Sequence, residues 1–410
     1  MMFLEILLFA LIGIAAGTFT GLVPGIHTNT LCALILGITP SLIGFGLHPH
    51  GIIVLIISMV VTHTVIDFIP SIFLGAPDDA TALSVLPGHR MVLDGKGLEA
   101  VYLTVIGGVG VVFLYILLLP LLLKIIPIFY SWIKSYIHFV LSGIAFLMIA
   151  IERKIKKLFS LFIFLLSGTF GFLILNNSFL PSTYVFFPIF TGMFGISTLL
   201  ISLNKKAKIP KQKKDIEKID KKIAVFGTIK AFFSGLLVGI LPGIGSAQAT
   251  ILSQQLTRST NEMHNTKEFL VCIGGINTAN ALFALTSLYS IGKPRSGAAI
   301  TIQKILETFG MNELLLLIAS SLIAVGVASI LTLKISKKIA LLLEKCPYHK
   351  LSLFIIIFFL ILTIYFTGFV GLLILFTSTA IGLLPPLLGT KRSICMGVIM
   401  LPVILYYFGF

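Results

Sequence analysis

Charge is scarce in this chain of 410 residues: 11% are Asp, Glu, Lys or Arg, against about a quarter in a soluble globular protein. Acidic residues are scarcer still, 15 against 30 basic ones. There is one Trp, and the four cysteines, Cys32, Cys272, Cys346 and Cys395, are scattered singly in apolar surroundings. That scatter offers neither a disulfide framework nor the spacing of a metal or redox site. No Gly-x4-Gly-Lys-[Ser/Thr] loop is present, so ATP is not expected to drive the protein directly. The net charge of +15 does not point to nucleic acid, because the excess sits largely in short loops, where lysine reports membrane orientation.

What is abundant is hydrophobicity, with 57% apolar residues and a mean hydropathy of +1.09. Apolar runs near the ~20 residues that cross a bilayer recur along the whole length. They cover 3–23, 28–46, 51–69, 99–123, 135–151, 158–176 and 183–203, then 223–241, 246–257, 268–290, 312–333, 351–366, 368–388 and 393–408. The expected fold is an all-α polytopic membrane protein, multi-pass in the cytoplasmic membrane, with no room for a sizeable soluble domain. The first residues lack the basic start and cleavage site of a signal peptide, so the first segment is expected to remain.

Two features recur. Gly17-Thr-Phe-Thr-Gly21-Leu-Val-Pro24-Gly25-Ile26 returns 218 residues later as Gly235-Leu-Leu-Val-Gly239-Ile-Leu-Pro242-Gly243-Ile244. Leu74-Gly75-Ala76-Pro77-Asp78-Asp79 returns after 217 as Ile291-Gly292-Lys293-Pro294-Arg295-Ser296. The spacing predicts an N-terminal repeat, 1–203, a basic cytoplasmic linker, 204–222, and a C-terminal repeat, 223–410. The linker, Arg153 to Lys157, Arg90 with Lys96, the lysines from Lys334 to Lys338, and Lys391-Arg392 are read as one side. With both termini on the other side, the two halves become inverted structural repeats with broken helices and re-entrant hairpins, a recurrent plan of secondary transporters.

Proline removes a backbone donor and glycine permits a sharp turn, so each helix should stop at Pro-Gly. A helix restarting at His27-Thr28-Asn29 or at Ser246 would present free N–H groups and hydroxyls to an anion. The plainer alternative is a turn at the membrane surface, with Gly-x3-Gly serving close packing. Lys293 and Arg295 could hold an anionic group, while Asp78 and Asp79 could bind Na⁺ or carry a proton; the alternative is a set of loop residues at the aqueous interface. Within the apolar segments, His63 with Thr64, and Asn277, Thr278 and Asn280, are the remaining polar residues. His63 and Asn280 stand 217 apart, and an ionisable group there is expensive enough to be a functional candidate, though a lone histidine often only packs. Asp67, near the end of its segment, is expected at the interface. The run His48-Pro49-His50 reads as loop and receives no role.

These stretches resemble the large membrane subunit of the tripartite tricarboxylate transporters, the TctA family. The resemblance rests on Gly17 to Ile26, Leu74 to Ala82 with Gly95 to Ala100, Gly235 to Gly245, Thr278 to Ala281, and Ile291 to Pro294, in the family's order along most of the chain. The chain departs from the pattern at His27, where the family has glycine. Ala279-Asn280-Ala281 lacks the second asparagine, and Lys293-Pro294-Arg295 replaces an apolar Ile-Pro-Gly, so this is a divergent, short member. The resemblance implies uptake of an organic carboxylate coupled to an ion gradient, helped by a small membrane subunit and an extracytoplasmic binding protein.

The leading expectation is therefore an ion-coupled secondary transporter of a small organic anion, needing no cofactor beyond a coupling ion, Na⁺ or H⁺. Pro24, Gly25, His27, Thr28, Asn29, Pro242, Gly243, Ser246, Asn280, Lys293 and Arg295 are its candidate anion-binding residues. His63, Asp78 and Asp79 are its candidate coupling residues. The rival is a translocase of a polyprenyl phosphate or other lipid phosphate. An intramembrane aspartyl protease on Asp67, Asp78 and Asp79 is disfavoured, because adjacent aspartates on a Gly/Pro loop do not face each other across two helices. The protein is not expected to be an enzyme.

Overall fold

The computed structural model describes residues 2–23, 28–75, 77, 80–152, 154–176, 182–203, 210–213, 216–240, 246, 249–251, 253, 262–306, 308–344 and 348–409. Among these the structure is helical, with no strand. The first half comprises α1 (Met2–Leu22), α2 (Thr28–Gly44), α3 (Pro49–Ile66), α4 (Val85–Leu93), α5 (Gly97–Ile133), α6 (Ile137–Ala150), α7 (Lys156–Leu175), α8 (Ser182–Phe190) and α9 (Ser197–Leu203). The second comprises α10 (Lys221–Ile240), α11 (Glu262–Ile291), α12 (Gly297–Ile305), α13 (Met311–Glu344), α14 (Tyr348–Leu388) and α15 (Gly397–Phe408). Eight of the described helices are long and apolar enough to cross a membrane. The break expected between 366 and 368 is a kink at Gly368, whose φ of 61° lies outside the helical range. Two short helices, α4 and α12, follow the Gly-x-Pro loops, where the apolar runs did not mark a segment of their own.

Glycines set the central packing. Gly13, Gly17 and Gly21 of α1 lie against Ser58, Thr62 and Ile66 of α3, so the two helices run parallel. In the second half Gly235 and Gly239 of α10 lie against Ala279 and Phe283 of α11, again in parallel. Gly17 and Gly235, Thr62 and Ala279, Gly21 and Gly239, and Ile66 and Phe283 are the same pairs displaced by 217 or 218 residues. A Cβ at Gly21 would come within 2.9 Å of Ile66 Cβ, too close for an ordinary contact. The Gly-x3-Gly pattern therefore serves close helix approach, as the packing alternative expected.

The halves are interleaved. α5 runs parallel to α11, with Gly108 opposite Thr278 and the Tyr115 hydroxyl 2.5 Å from that of Thr286. It runs opposite to α3, because Gly97 meets Phe73 while Gly108 meets Val65. The parallel set α5, α10 and α11 thus points against α1 and α3. α13 packs along α3 and begins where His50 Nε2 stands 3.2 Å from Glu313 Oε1. His48 and His50, read as loop, instead open α3, with His48 as its cap and its N–H donating to Glu5 Oε1 at 2.9 Å. In consequence α3 and α11 are central: 94% of the most apolar window in each is buried, against 22 to 50% in the other six spans.

Basic residues collect at one end of this bundle. Lys96 and Lys213 both bond Glu217, at 3.1 and 3.2 Å. Lys267 reaches Glu99 at 2.5 Å, Lys156 approaches Gly389, and the Lys391 N–H donates to Glu152. The linker is docked there by Gln212, 5% exposed, which bonds the Val92 carbonyl at 2.9 Å and the Gly97 N–H at 3.0 Å.

Two outcomes follow from this packing. Gly239→Ala should lower the melting temperature, by about 1 to 3 kcal/mol of overpacking against Phe283. Gly326→Ala, with nothing within 4 Å, should be neutral or gain up to about 1 kcal/mol of helix propensity; equal melting of the two variants would contradict the close approach. The lysines around Glu217 hold its carboxyl down to about 2 from 4.5. Because the folded value is depressed, its hold on the linker is complete above the ordinary value and is lost as pH falls through about 2. Linker proteolysis with an acid-stable protease should therefore rise in that window for the native chain, and the rise should be absent in Glu217→Gln.

Candidate functional site

Polar side chains meet where α1, α3 and α11 cross. Thr20 Oγ1 lies 3.0 Å from His63 Nδ1. Asp67 Oδ2 is 4.0 Å from His63 Nε2 and accepts a 2.8 Å hydrogen bond from Asn277 Nδ2. The same amide donates to the Thr64 carbonyl at 3.2 Å, and the hydroxyls of Thr64 and Thr278 are 3.3 Å apart. His63, Asp67 and Asn277 are 7, 4 and 5% exposed. A carboxylate so buried is tolerable only with partners, and here they come from both halves of the chain.

Asp67 is thus enclosed by protein and not exposed at a surface. Its segment does not end there: Pro70 has no N–H for the helical ladder, and the chain continues as a wider π-type turn over Pro70–Leu74, closed by Gly75 at φ 67°. That turn carries Ser71, whose hydroxyl is 2.8 Å from the Ser84 hydroxyl; Ser84 donates in turn to the Thr81 carbonyl at 2.7 Å. His89 Nδ1 lies 3.3 Å from the Ile72 carbonyl, and burial pushes its imidazole below the ordinary value. Polar contacts therefore step from the centre toward the basic end of the bundle.

The residues expected to form one site are distributed. Pro24, Gly25, His27, Asp78, Asp79, Pro242 and Gly243 lie outside the described residues, as does the side chain of Asn29. Thr28 opens α2 and is half-buried, while Ser246 is buried. Asn280 is half-buried and takes no part in the bonds that join Asn277 to Asp67. Lys293 is exposed. Ser296 caps α12, accepting the Ala299 N–H at 3.2 Å. Arg295 lies 5.0 Å over the Tyr130 ring, and its buried Nε and Nη2 have no hydrogen-bond partner among the described residues.

The two Gly-x-Pro loops have different neighbours. Gly75 and Pro77 pack on Gly195, and Gly75 also on Leu199. Arg295 sits at the far end of α5. From Gly97, beside Phe73, to Tyr130 the helix rises about 50 Å at ~1.5 Å per residue. Several participants carried no assigned role in the sequence, among them Thr20, Asn277 and Arg392. Asn277 could be found as a polar residue in an apolar run, whereas Arg392 was visible only as a marker of sidedness. Its Nη1 donates to the Thr198 hydroxyl and, at 3.1 Å, to the Ser197 hydroxyl.

The chain is 38% identical over 412 aligned positions to an uncharacterised protein of Methanocaldococcus jannaschii, covering 98% of each chain. No solved structure matches. An apolar chain of broken helices around a buried polar centre suits a membrane transporter. Consistent with that architecture, the model of the tripartite tricarboxylate transporter TctA family matches residues 7–397, and the chain belongs to this family of multi-pass transporter proteins.

Proposed function

We propose that the chain is an ion-coupled secondary transporter that moves a small organic anion, carboxylate in type, across the cytoplasmic membrane by alternating access. The observation that carries this reading is the buried network of His63, Asp67, Asn277 and Thr278, which ties α3 of one half to α11 of the other. A carboxylate there can gain and lose a proton or bind Na⁺, and its partners on the opposite half change if the halves move against each other. The packing of α1 on α3 and of α10 on α11 in equivalent register, with the two sets running oppositely, supports two inverted repeats as the moving units, joined by the docked linker. The basic end is the cytoplasmic one on the positive-inside rule.

Arg295 supplies the anion contact from the other end of α5. Its guanidinium has a ring face against it and two donors without a partner among the described residues, so an incoming carboxylate finds a charge-assisted pair there. Family membership favours a carboxylate and favours work with a small membrane subunit and an extracytoplasmic binding protein. His63 and Asp67 are the coupling pair in this scheme. Asp78 and Asp79, which follow the π-type turn in sequence, remain candidates for the ion path.

Citrate uptake into proteoliposomes, measured with an imposed pH or Na⁺ gradient, tests both roles. Asp67→Asn should lower gradient-driven uptake at least about tenfold while counterflow exchange of citrate persists, the signature of lost coupling rather than lost binding. Unchanged gradient dependence in that variant would sink the coupling role. Arg295→Gln should raise KM about tenfold, the equivalent of ~1.4 kcal/mol, with kcat nearly unchanged; an unaltered KM would remove Arg295 from the anion path.

A further inference from the structure

A cavity of about 690 Å³ opens at the basic end, between α4 and the turn that leads into α15. Arg90, His89, Lys391 and Arg392 line it, with the hydroxyls of Thr390 and Ser393, and none of its described lining residues is acidic. Arg392 is half-buried, and its contacts are neutral oxygens: the hydroxyls of Thr198 and Ser197 and the Phe194 carbonyl. No carboxylate pairs with it among the described residues. Lys391 is exposed and its Nζ makes no ion pair among the described residues. Arg90 is 3.5 Å from Glu262, an acid whose side chain is 84% exposed and which is held only loosely. Ser393 is 3% exposed, and its hydroxyl, like that of Thr390, is buried with no hydrogen-bond partner among the described residues.

Each of these is an unsettled account in physical terms. A half-buried guanidinium bonded only to neutral oxygens has given up water without gaining a counter-charge, and a buried hydroxyl without a partner has lost hydrogen bonds. Three cations from two directions and two spare hydroxyls exceed what one carboxylate, with two oxygens and one charge, can engage. A phosphate ester matches them better, with up to three terminal oxygens and a charge of about −1.5 to −2. Apolar side chains, among them Leu83, Leu86 and Phe194, line the cavity beside these groups, and Leu86 is itself 50% exposed. An organic group attached to the phosphate can lie there.

We propose that this cavity is a phosphate-binding site, holding the phosphate between Arg392, Lys391 and Arg90 with Ser393 donating, and the ligand's apolar part along α4. It goes beyond the transport reading and asks for no movement of the ligand across the membrane. The phosphate can belong to a phospholipid headgroup at the level of the linker, where anionic lipid and basic side chains attract each other, or to a free phosphate compound.

Calorimetric titration of the purified full-length chain in neutral detergent distinguishes these sources. The probes are inorganic phosphate, dihexanoyl phosphatidic acid and citrate. Phosphatidic acid should bind, and Arg392→Gln and Ser393→Ala should each weaken it at least about fivefold, with citrate at least about tenfold weaker than the phosphate probe. Binding of inorganic phosphate with similar affinity assigns the site to free phosphates; binding of phosphatidic acid alone assigns it to a headgroup. Because Arg392 also ties α9, Lys391→Gln repeats the test without disturbing a protein contact. Equal affinities in the native chain and in Lys391→Gln and Ser393→Ala would overturn the proposal. So would citrate binding as tightly as phosphatidic acid and lost in the same variants, which would make the cavity part of the anion path; a raised KM for citrate uptake in Arg295→Gln with phosphatidic acid binding intact keeps the two sites separate.

Discussion

Where Gly21 lies against Ile66 and Gly239 against Phe283, a hydrogen atom is all the side chain that fits between the helices. This close approach brings α1 onto α3 and α10 onto α11, and it leaves α3 and α11 surrounded by protein along nearly their whole apolar length. Hydrocarbon cannot satisfy a stray backbone or side-chain polar group, so irregular structure at depth survives only inside such a sleeve. The π-type turn at Pro70–Leu74 and the Asp67 to Asn277 bond are both found there. Without the glycine contacts lipid would reach them, and the buried carboxylate would have no tolerable surroundings.

Interleaving of the halves is the second consequence. α5 belongs to the first half by sequence and lies along the central helix of the second, while α13 does the reverse with α3. Each central helix is therefore walled partly by the other half. The polar network at their crossing is shared property, with donors on Asn277 and acceptors on Thr64 and Asp67. At the basic end the same interleaving brings the linker onto the α4 to α5 corner through Gln212 and places Arg90 across a cavity from Lys391 and Arg392. At the other end Arg295 lies over the ring of Tyr130. Charge is rare in this protein, and its cations at the cavity and at Tyr130 stand at opposite ends of the bundle.

Much of the fold was legible because helix length and hydropathy are local properties. The apolar runs agree with the observed spans to within a few residues for most of them, and Gly368 broke the helix where its φ of 61° allows a kink. His63 stood out because an imidazole in a long apolar run is costly wherever it ends up. Asp67 was misplaced for an equally local reason: counting residues from the start of α3 puts it at the end of a straight helix, whereas the turn after Pro70 carries the segment on under the cover of α4. The short helices α4 and α12, nine residues of mixed polarity each, left no apolar run of their own and were legible only as short segments opened by the Gly-x-Pro loops. His48 and His50 read as loop because their partners, Glu5 and Glu313, are distant in sequence.

The sequence by itself determined that this is a helical membrane protein, that its motifs recur about 218 residues apart, and that its basic residues belong in a few short turns. Composition and spacing suffice for that, because each helix must satisfy its own backbone before it meets another. Which polar residues meet was decided only by the tertiary structure. Asn277 and Asp67 are 210 positions apart, and Arg90 and Arg392 even farther, so nothing in their local surroundings distinguishes a residue facing a partner from one facing lipid. That choice is made by the rotation and depth of each helix, and these are set by close packing across the chain.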